Sequence, residues 1–147
     1  MANHKDPLDN DILSLDETKV RQLTGSCLCG DVSYKIDGPV RDVVNCFCEQ
    51  CRKTSGHYVA ASSINKDHLT YLKDKTLEWY ECLPKVYRGF CKTCGSSLFW
   101  DNANATDNKI AIMAGTLDGP TKLKTIGSIY TKDASDYCDI PFVEDDS

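Results

Sequence analysis

A mainly β fold built from several small antiparallel sheets is what this sequence predicts. Three observations carry that prediction. Apolar residues recur in short runs, several of them alternating with polar ones, and no segment sustains a helical period over several turns. Turn-forming Gly, Pro, Asp and Asn interrupt the runs at close intervals. The cysteines, finally, cluster where runs begin or end.

Taken in order, residues 1–22 are polar and acidic (Asp6, Asp9, Asp11, Asp16, Glu17), with one apolar patch at Ile12, Leu13 and Leu15. This composition predicts a loosely attached arm with at most a short helical turn. Val32–Ile36 alternates apolar and polar and reads as a strand that Gly38-Pro39 breaks. Val43-Val44 leads directly into Cys46, and Tyr58–Ile64 has the small and branched residues of a buried strand. Leu69–Leu72 and Leu77–Tyr80 flank Lys73-Asp74-Lys75 and read as a hairpin. Val86–Phe90 delivers Cys91, Ser97–Trp100 leaves the same knuckle, and Ile110–Ala114 and Ser128–Tyr130 complete the set. The predicted organisation is an arm over 1–22, one β domain over 23–141 and an acidic tail over 142–147.

The chain has 147 residues, 41% hydrophobic and 27% charged, a balance that suits one domain with a real core. Nothing approaches the roughly 18–20 apolar residues of a membrane span. Met1 to Pro7 shows no apolar run with a cleavage site, so a cytoplasmic location is expected, with reduced thiols. A net charge of −5 and an isoelectric point near 5.1 argue against a nucleic-acid partner, which calls for a concentrated basic surface. The compact basic pair beside a cysteine cluster is Arg52-Lys53, which could locally attract an anionic substrate.

Seven of the nine cysteines fall in three clusters: Cys27 with Cys29, Cys46 with Cys48 and Cys51, and Cys91 with Cys94. Such spacings present several sulfurs to one soft cation, most commonly zinc. A closed structural zinc takes four protein ligands, whereas a catalytic one usually takes three and leaves a position open. Joining the two distant pairs through one metal would close the fold on itself and leave the triplet as an open site. In the alternatives, one pair joins the triplet, or a single cluster holds two metals or an iron–sulfur centre. His57, Cys82 and Cys138 are the candidates for a fourth ligand that would close the triplet; His4 and His68 have no partner pattern. Gly25 and Gly30 bracket the first pair and Gly95 follows the last, as tight turns at a metal knuckle require.

Read together, Gly25-Ser-Cys-Leu-Cys-Gly30, Cys46-Phe-Cys-Glu-Gln-Cys-Arg-Lys-Thr-Ser-Gly56 and Phe90-Cys-Lys-Thr-Cys-Gly-Ser-Ser-Leu98 resemble the glutathione-dependent formaldehyde-activating enzymes. That family also takes in centromere-protein-V-like proteins. The resemblance runs from Thr24 to Ile140. It implies a β-tent of small sheets stapled by zinc, with a structural ion held by Cys27, Cys29, Cys91 and Cys94. A second, catalytic ion is implied at Cys46, Cys48 and Cys51. The implied activity is carbon–sulfur lyase chemistry on a thiol adduct such as S-hydroxymethylglutathione, with glutathione as co-substrate. Two positions depart from the family pattern: Phe47 and Ser128 stand where relatives often carry histidine, removing imidazoles that could move protons.

The mechanistic expectation is a thiolate stabilised at an open zinc, with His57 or a metal-bound water as the proton-transfer helper. Arg52 and Lys53 are the candidates for a substrate carboxylate, and Ser55 and Gly56 for backbone amides that meet an anion. The rival expectation is a non-catalytic zinc module that binds a protein through Trp79, Tyr80, Tyr87 or Trp100.

Overall fold

In the computed structural model, which describes residues 10–140, short alternating segments pair into two sheets. β1 (Val20–Ser26) buries Leu23 and Gly25, and β2 (Ser33–Pro39) buries Tyr34 and Ile36. The two strands pair antiparallel with these residues opposite one another, so one face of the ribbon is apolar. β5 (Leu69–Lys73) adds to the free edge of β2 and completes a three-stranded sheet in the order β1-β2-β5.

The second sheet contains β3 (Val43–Cys46), β4 (Val59–Asn65), β6 (Leu77–Leu83), β7 (Val86–Cys91), β8 (Ser97–Asn102), β9 (Lys109–Met113) and β10 (Thr125–Ile129). Their order is β10-β3-β4-β9-β8-β7-β6. Every pairing is antiparallel except that of β10 with β3. That exception to the all-antiparallel expectation follows from connectivity. The long segment after β9 lets β10 enter the far edge in the same direction as β3, which a hairpin would forbid.

The main core lies between the sheets and includes Leu23, Tyr34, Ile36, Ile64, Leu98, Phe99 and Ile112. Phe99 is its hub. Tyr34 and Tyr71 meet its ring edge-on at 5.3 and 5.7 Å from the three-stranded sheet, and Trp79 stacks on it at 6.0 Å from β6. This explains why the expected hairpin of Leu69–Leu72 with Leu77–Tyr80 does not form. Tyr71 and Trp79 both reach Phe99, so β5 pairs with β2, β6 pairs with β7, and the chain changes sheets at Asp74.

Three further features differ from the sequence reading. β1 begins at Val20, inside the span read as an arm, because only two of its seven residues face inward and its alternation is thin. β2 runs on through Gly38-Pro39. Beyond Ile36 it has no partner in β5, so a residue without an N–H is tolerated there, and Gly38 leaves room for the His68 ring. A short helix, α1 (Glu49–Ser55), follows the cysteine triplet; at two turns it is too short to show a period in sequence. The apolar patch of the arm forms a 3₁₀ turn at Asn10–Leu13 that buries Ile12. The rest of the arm up to residue 9, His4 included, and the predicted tail 142–147 lie outside the described residues.

Candidate metal centres

Two turns of the same design bring four sulfurs together. Between β1 and β2, Cys27 donates its N–H to Val32 O (2.9 Å) and Gly30 donates to Cys27 O (3.2 Å). After β7, Cys91 donates to Ser96 O (3.0 Å) and Gly95 donates to Cys91 O (2.7 Å). Gly30 and Gly95 have φ of 83° and 78°, values that disfavour any side chain with a Cβ. The turns face each other, and Sγ of Cys27, Cys29, Cys91 and Cys94 all lie within 4.8 Å of one another. Cys29 Sγ is 3.6 Å from Cys27 Sγ and 3.8 Å from Cys91 Sγ. A tetrahedron of sulfurs about 2.3 Å from a zinc has edges of about 3.8 Å, so the donor set fits that ion.

Three of the four sulfurs have further support. Val32 N–H points at Cys27 Sγ (3.3 Å), Thr76 Oγ1 lies 3.3 Å from Cys91 Sγ, and Ser96 Oγ lies 3.2 Å from Cys94 Sγ. Ser96 Oγ also accepts from Leu28 N–H (3.0 Å), tying one turn directly to the other. Hydrogen bonds from the Ser96 hydroxyl, then from backbone amides, bring the Cys94 thiol down to about 5, favouring the thiolate that a metal requires. Of the sequence alternatives, the structure brings the two pairs together and leaves the triplet separate.

The triplet is built on a strand end and a helix start. Cys46 closes β3, Cys48 caps α1 with its sulfur 3.3 Å from Cys51 N–H, and Cys51 lies in the first turn. Phe47 between them is buried, with its ring stacked on Tyr58 at 4.8 Å and its N–H donated to Ile129 O (3.0 Å). The three Sγ atoms lie within 4.8 Å of one another, and among the described residues no His, Cys, Asp or Glu supplies a fourth ligand atom to the group. The expected plugs are occupied elsewhere. Cys82 Sγ meets Val86 O (3.4 Å); Cys138 Sγ lies 3.9 Å from His57 Nε2, whose ring packs against Tyr58 and Tyr137.

Strand alternation separates the two sulfur sets. Cys46 shares a face of the large sheet with Val59, Ala61 and Met113, whereas Ile112, Phe99 and Cys91 lie on the core face. The triplet's face also carries Trp100 and, opposite it on β7, Arg88. Arg88 is the site residue that the sequence reading missed. Its Nη2 lies 3.3 Å from Gln50 Oε1 and 3.8 Å from Cys51 Sγ, while its buried Nε has no hydrogen-bond partner. The available signal was parity, since a residue three before Cys91 in a strand must face away from it. Hydrogen bonds from the Cys46 and Cys51 thiols, then the Cys51 amide and the positive charge of Arg88, hold the Cys48 thiol far below the ordinary thiol range. Cys46, which holds the proton in those contacts and is largely buried, is pushed up.

The other expected residues fall at the far end of α1. Lys53 pairs with Glu49 (3.3 Å) on an exposed helix face. Arg52 occupies the same last turn, and its Nε is buried without a partner. Ser55 Oγ donates to Cys51 O (2.7 Å) and accepts from His57 N–H (3.2 Å). Gly56, with φ of 92°, donates its N–H to Arg52 O (2.8 Å). Ser55-Gly56 is therefore a helix stop whose Gly56 amide is already committed. Ser128 is fully buried opposite Asn45 on the core face, with an unpartnered hydroxyl. The positions read as missing imidazoles, 47 and 128, thus both direct their side chains into packed interior.

Residues 22–133 match the family described as glutathione-dependent formaldehyde-activating enzyme. A crystal structure of a Rhodobacter sphaeroides protein is similar over 70% of this chain and 99% of its own, with 20% identity and a TM-score of 0.53. At that identity the likeness is one of fold. No curated protein matches this chain in sequence.

Proposed function

The chain belongs to the glutathione-dependent formaldehyde-activating enzyme family, and from that premise we propose that it is a zinc-dependent carbon–sulfur lyase acting on a small thiol adduct. The reaction would be the reversible cleavage of R–S–CH2–OH to R–SH and formaldehyde, with glutathione as the thiol of first choice. One observation carries this reading: three sulfurs converge on a partly exposed point to which no fourth protein ligand contributes among the described residues.

In this reading Cys27, Cys29, Cys91 and Cys94 hold a structural zinc that closes the β domain, and Cys46, Cys48 and Cys51 hold the working one. Zinc at the triplet would supply a Lewis acid with one position free for substrate sulfur or oxygen. The rest falls to the chain. Trp100 and Met113 wall the site on the sheet side, and α1 presents Cys51 and Gln50 from above. Arg52 at the helix end remains the candidate for a distal substrate carboxylate, with Lys53 and the Ser55-Gly56 turn beside it. The proton that the adduct's hydroxyl loses equals the proton that the leaving sulfur gains, so the protein need supply no net acid or base. With all nine cysteines free of disulfides, we place the protein in a reducing compartment such as the cytoplasm. No described helix is long and apolar enough to cross a membrane.

A second reading, a zinc-stapled module for protein interaction, draws support from β6, an edge strand that leaves Trp79, Tyr80 and Leu83 exposed. Titrating glutathione into the cobalt-substituted protein separates the two. The enzyme reading expects perturbed thiolate-to-metal bands and turnover of glutathione with formaldehyde. An inert spectrum without turnover leaves the interaction module.

A further inference from the structure

The geometry points to Arg88 as the positioning residue that balances the charge of the three-cysteine centre and so lets it accept an incoming thiolate. This inference rests on the reading of that centre as an open metal site. Three thiolates around a divalent ion carry a net −1, and a thiolate ligand makes −2. Such a charge in a partly buried site needs a fixed countercharge, because desolvation penalises it.

Arg88 meets that need by placement. It stands on the triplet's face of β7, half-buried, with Nη2 3.8 Å from Cys51 Sγ and braced at 3.3 Å by Gln50 Oε1. Its stem lies across the sheet from Trp100. Its buried Nε makes no hydrogen bond, so the guanidinium keeps an unused donor. The cations of α1 are placed differently: Lys53 is exposed and paired with Glu49, and Arg52 sits in the last turn. A guanidinium stays charged at any working pH, so the compensation is permanent. The predicted specificity is for ligands that bind as thiolates over neutral ligands of the same size.

The test uses the full chain loaded with cobalt. Wild type, Arg88→Met, Arg88→Gln and Arg88→Lys are titrated with 2-mercaptoethanol at fixed pH, following the thiolate-to-cobalt bands. Competition with a chelator then reports metal retention. Both neutral variants should lose about 10- to 100-fold in thiol affinity and in retention at the triplet. Arg88→Lys should stay within a few-fold of wild type, and the four-cysteine metal should be unaffected in all. Two neutral variants guard against one failing to fold. Wild-type thiol affinity in a folded neutral variant overturns the role of Arg88, and so does a Lys variant as impaired as the neutral ones. A wild-type protein blind to thiol overturns instead the open-site reading beneath it.

Discussion

Cys27→Ser and Cys48→Ser form a matched pair whose difference isolates what each sulfur set does. Both sulfurs accept one backbone N–H at 3.3 Å, from Val32 and from Cys51. Loss of that local contact is common to the two variants and cancels in the comparison. What differs is topology. Cys27 belongs to a set joining a β1–β2 turn to a β7–β8 turn, and the contact between Cys29 and Cys91 spans 62 positions. The triplet lies within one strand end and one helical turn.

A cross-link closing a loop of about that length removes roughly 4 kcal/mol of entropy from the unfolded chain. Metal bonding adds to this, since affinity for a structural zinc is folding free energy. Against a total stability of about 5–15 kcal/mol, Cys27→Ser should therefore lower Tm by at least 10–20 °C or leave the chain unfolded. Cys48→Ser should lose one metal and little stability, because serine is itself a good helix cap. Thermal unfolding by circular dichroism, with metal content measured on the same samples, reads both quantities. If the two variants melt together, the division into a bolt and a working site is wrong.

A mild chelator should draw metal first from the triplet with the fold intact, and from the four-cysteine set only as the chain unfolds. Metal release followed alongside circular dichroism checks that order, and simultaneous loss would refute it. Gly25→Ala should destabilise by about 1–3 kcal/mol in denaturant unfolding, because its Cβ would meet the buried Tyr34 hydroxyl and come within 2.6 Å of Thr116 O. Burial pushes the Tyr34 phenol up to about 12 from an ordinary value of 10, with the Thr116 hydrogen bond partly opposing. A folded-state value above the unfolded one favours the protonated form, so this stability is full below pH 10 and lost between pH 10 and 12. Tyr34→Phe should flatten that alkaline limb while costing about 1 kcal/mol at neutral pH for the lost hydrogen bond to Thr116.

Local patterns were legible in the sequence; strand partnerships were not. Tyr58–Ile64, Val86–Phe90, Ser97–Trp100 and Ile110–Ala114 each became a strand within a residue or two, and Val32–Ile36 became one that runs on to Pro39, because their apolar patterns reflect which side chains are buried. The cysteine sets were legible for the same reason: spacing fixes which sulfurs a turn can present together. The pairing of Leu69–Leu72 with Leu77–Tyr80 failed because proximity in sequence competes with a distant ring, Phe99, that no local rule can see. β1 was hidden by Gly25, which reads as a breaker yet is small to clear Tyr34. Arg88 was hidden because its contact to Cys51 spans 37 positions, beyond the reach of any local pattern.

The separation of roles depends on strand parity. Cys46 and Cys91 both end strands of the large sheet, yet rows through Val59, Ala61 and Met113 on one side and Ile112, Phe99 and Gly89 on the other place them on opposite faces. The core face is covered by the three-stranded sheet, so Cys27 and Cys91 are buried there, and two sulfurs from the β1–β2 turn with two from the β7–β8 turn close the set. The other face is covered near Cys46 by the two turns of α1, too little to bury the triplet fully, so Cys46 and Cys48 stay partly exposed. Inserting one residue into β7 between Arg88 and Cys91 would invert one of them relative to the sheet. Either Cys91 would leave the four-sulfur set or Arg88 would turn into the core, so the insertion should disable either the centre that β7 ligates or the one that it only flanks.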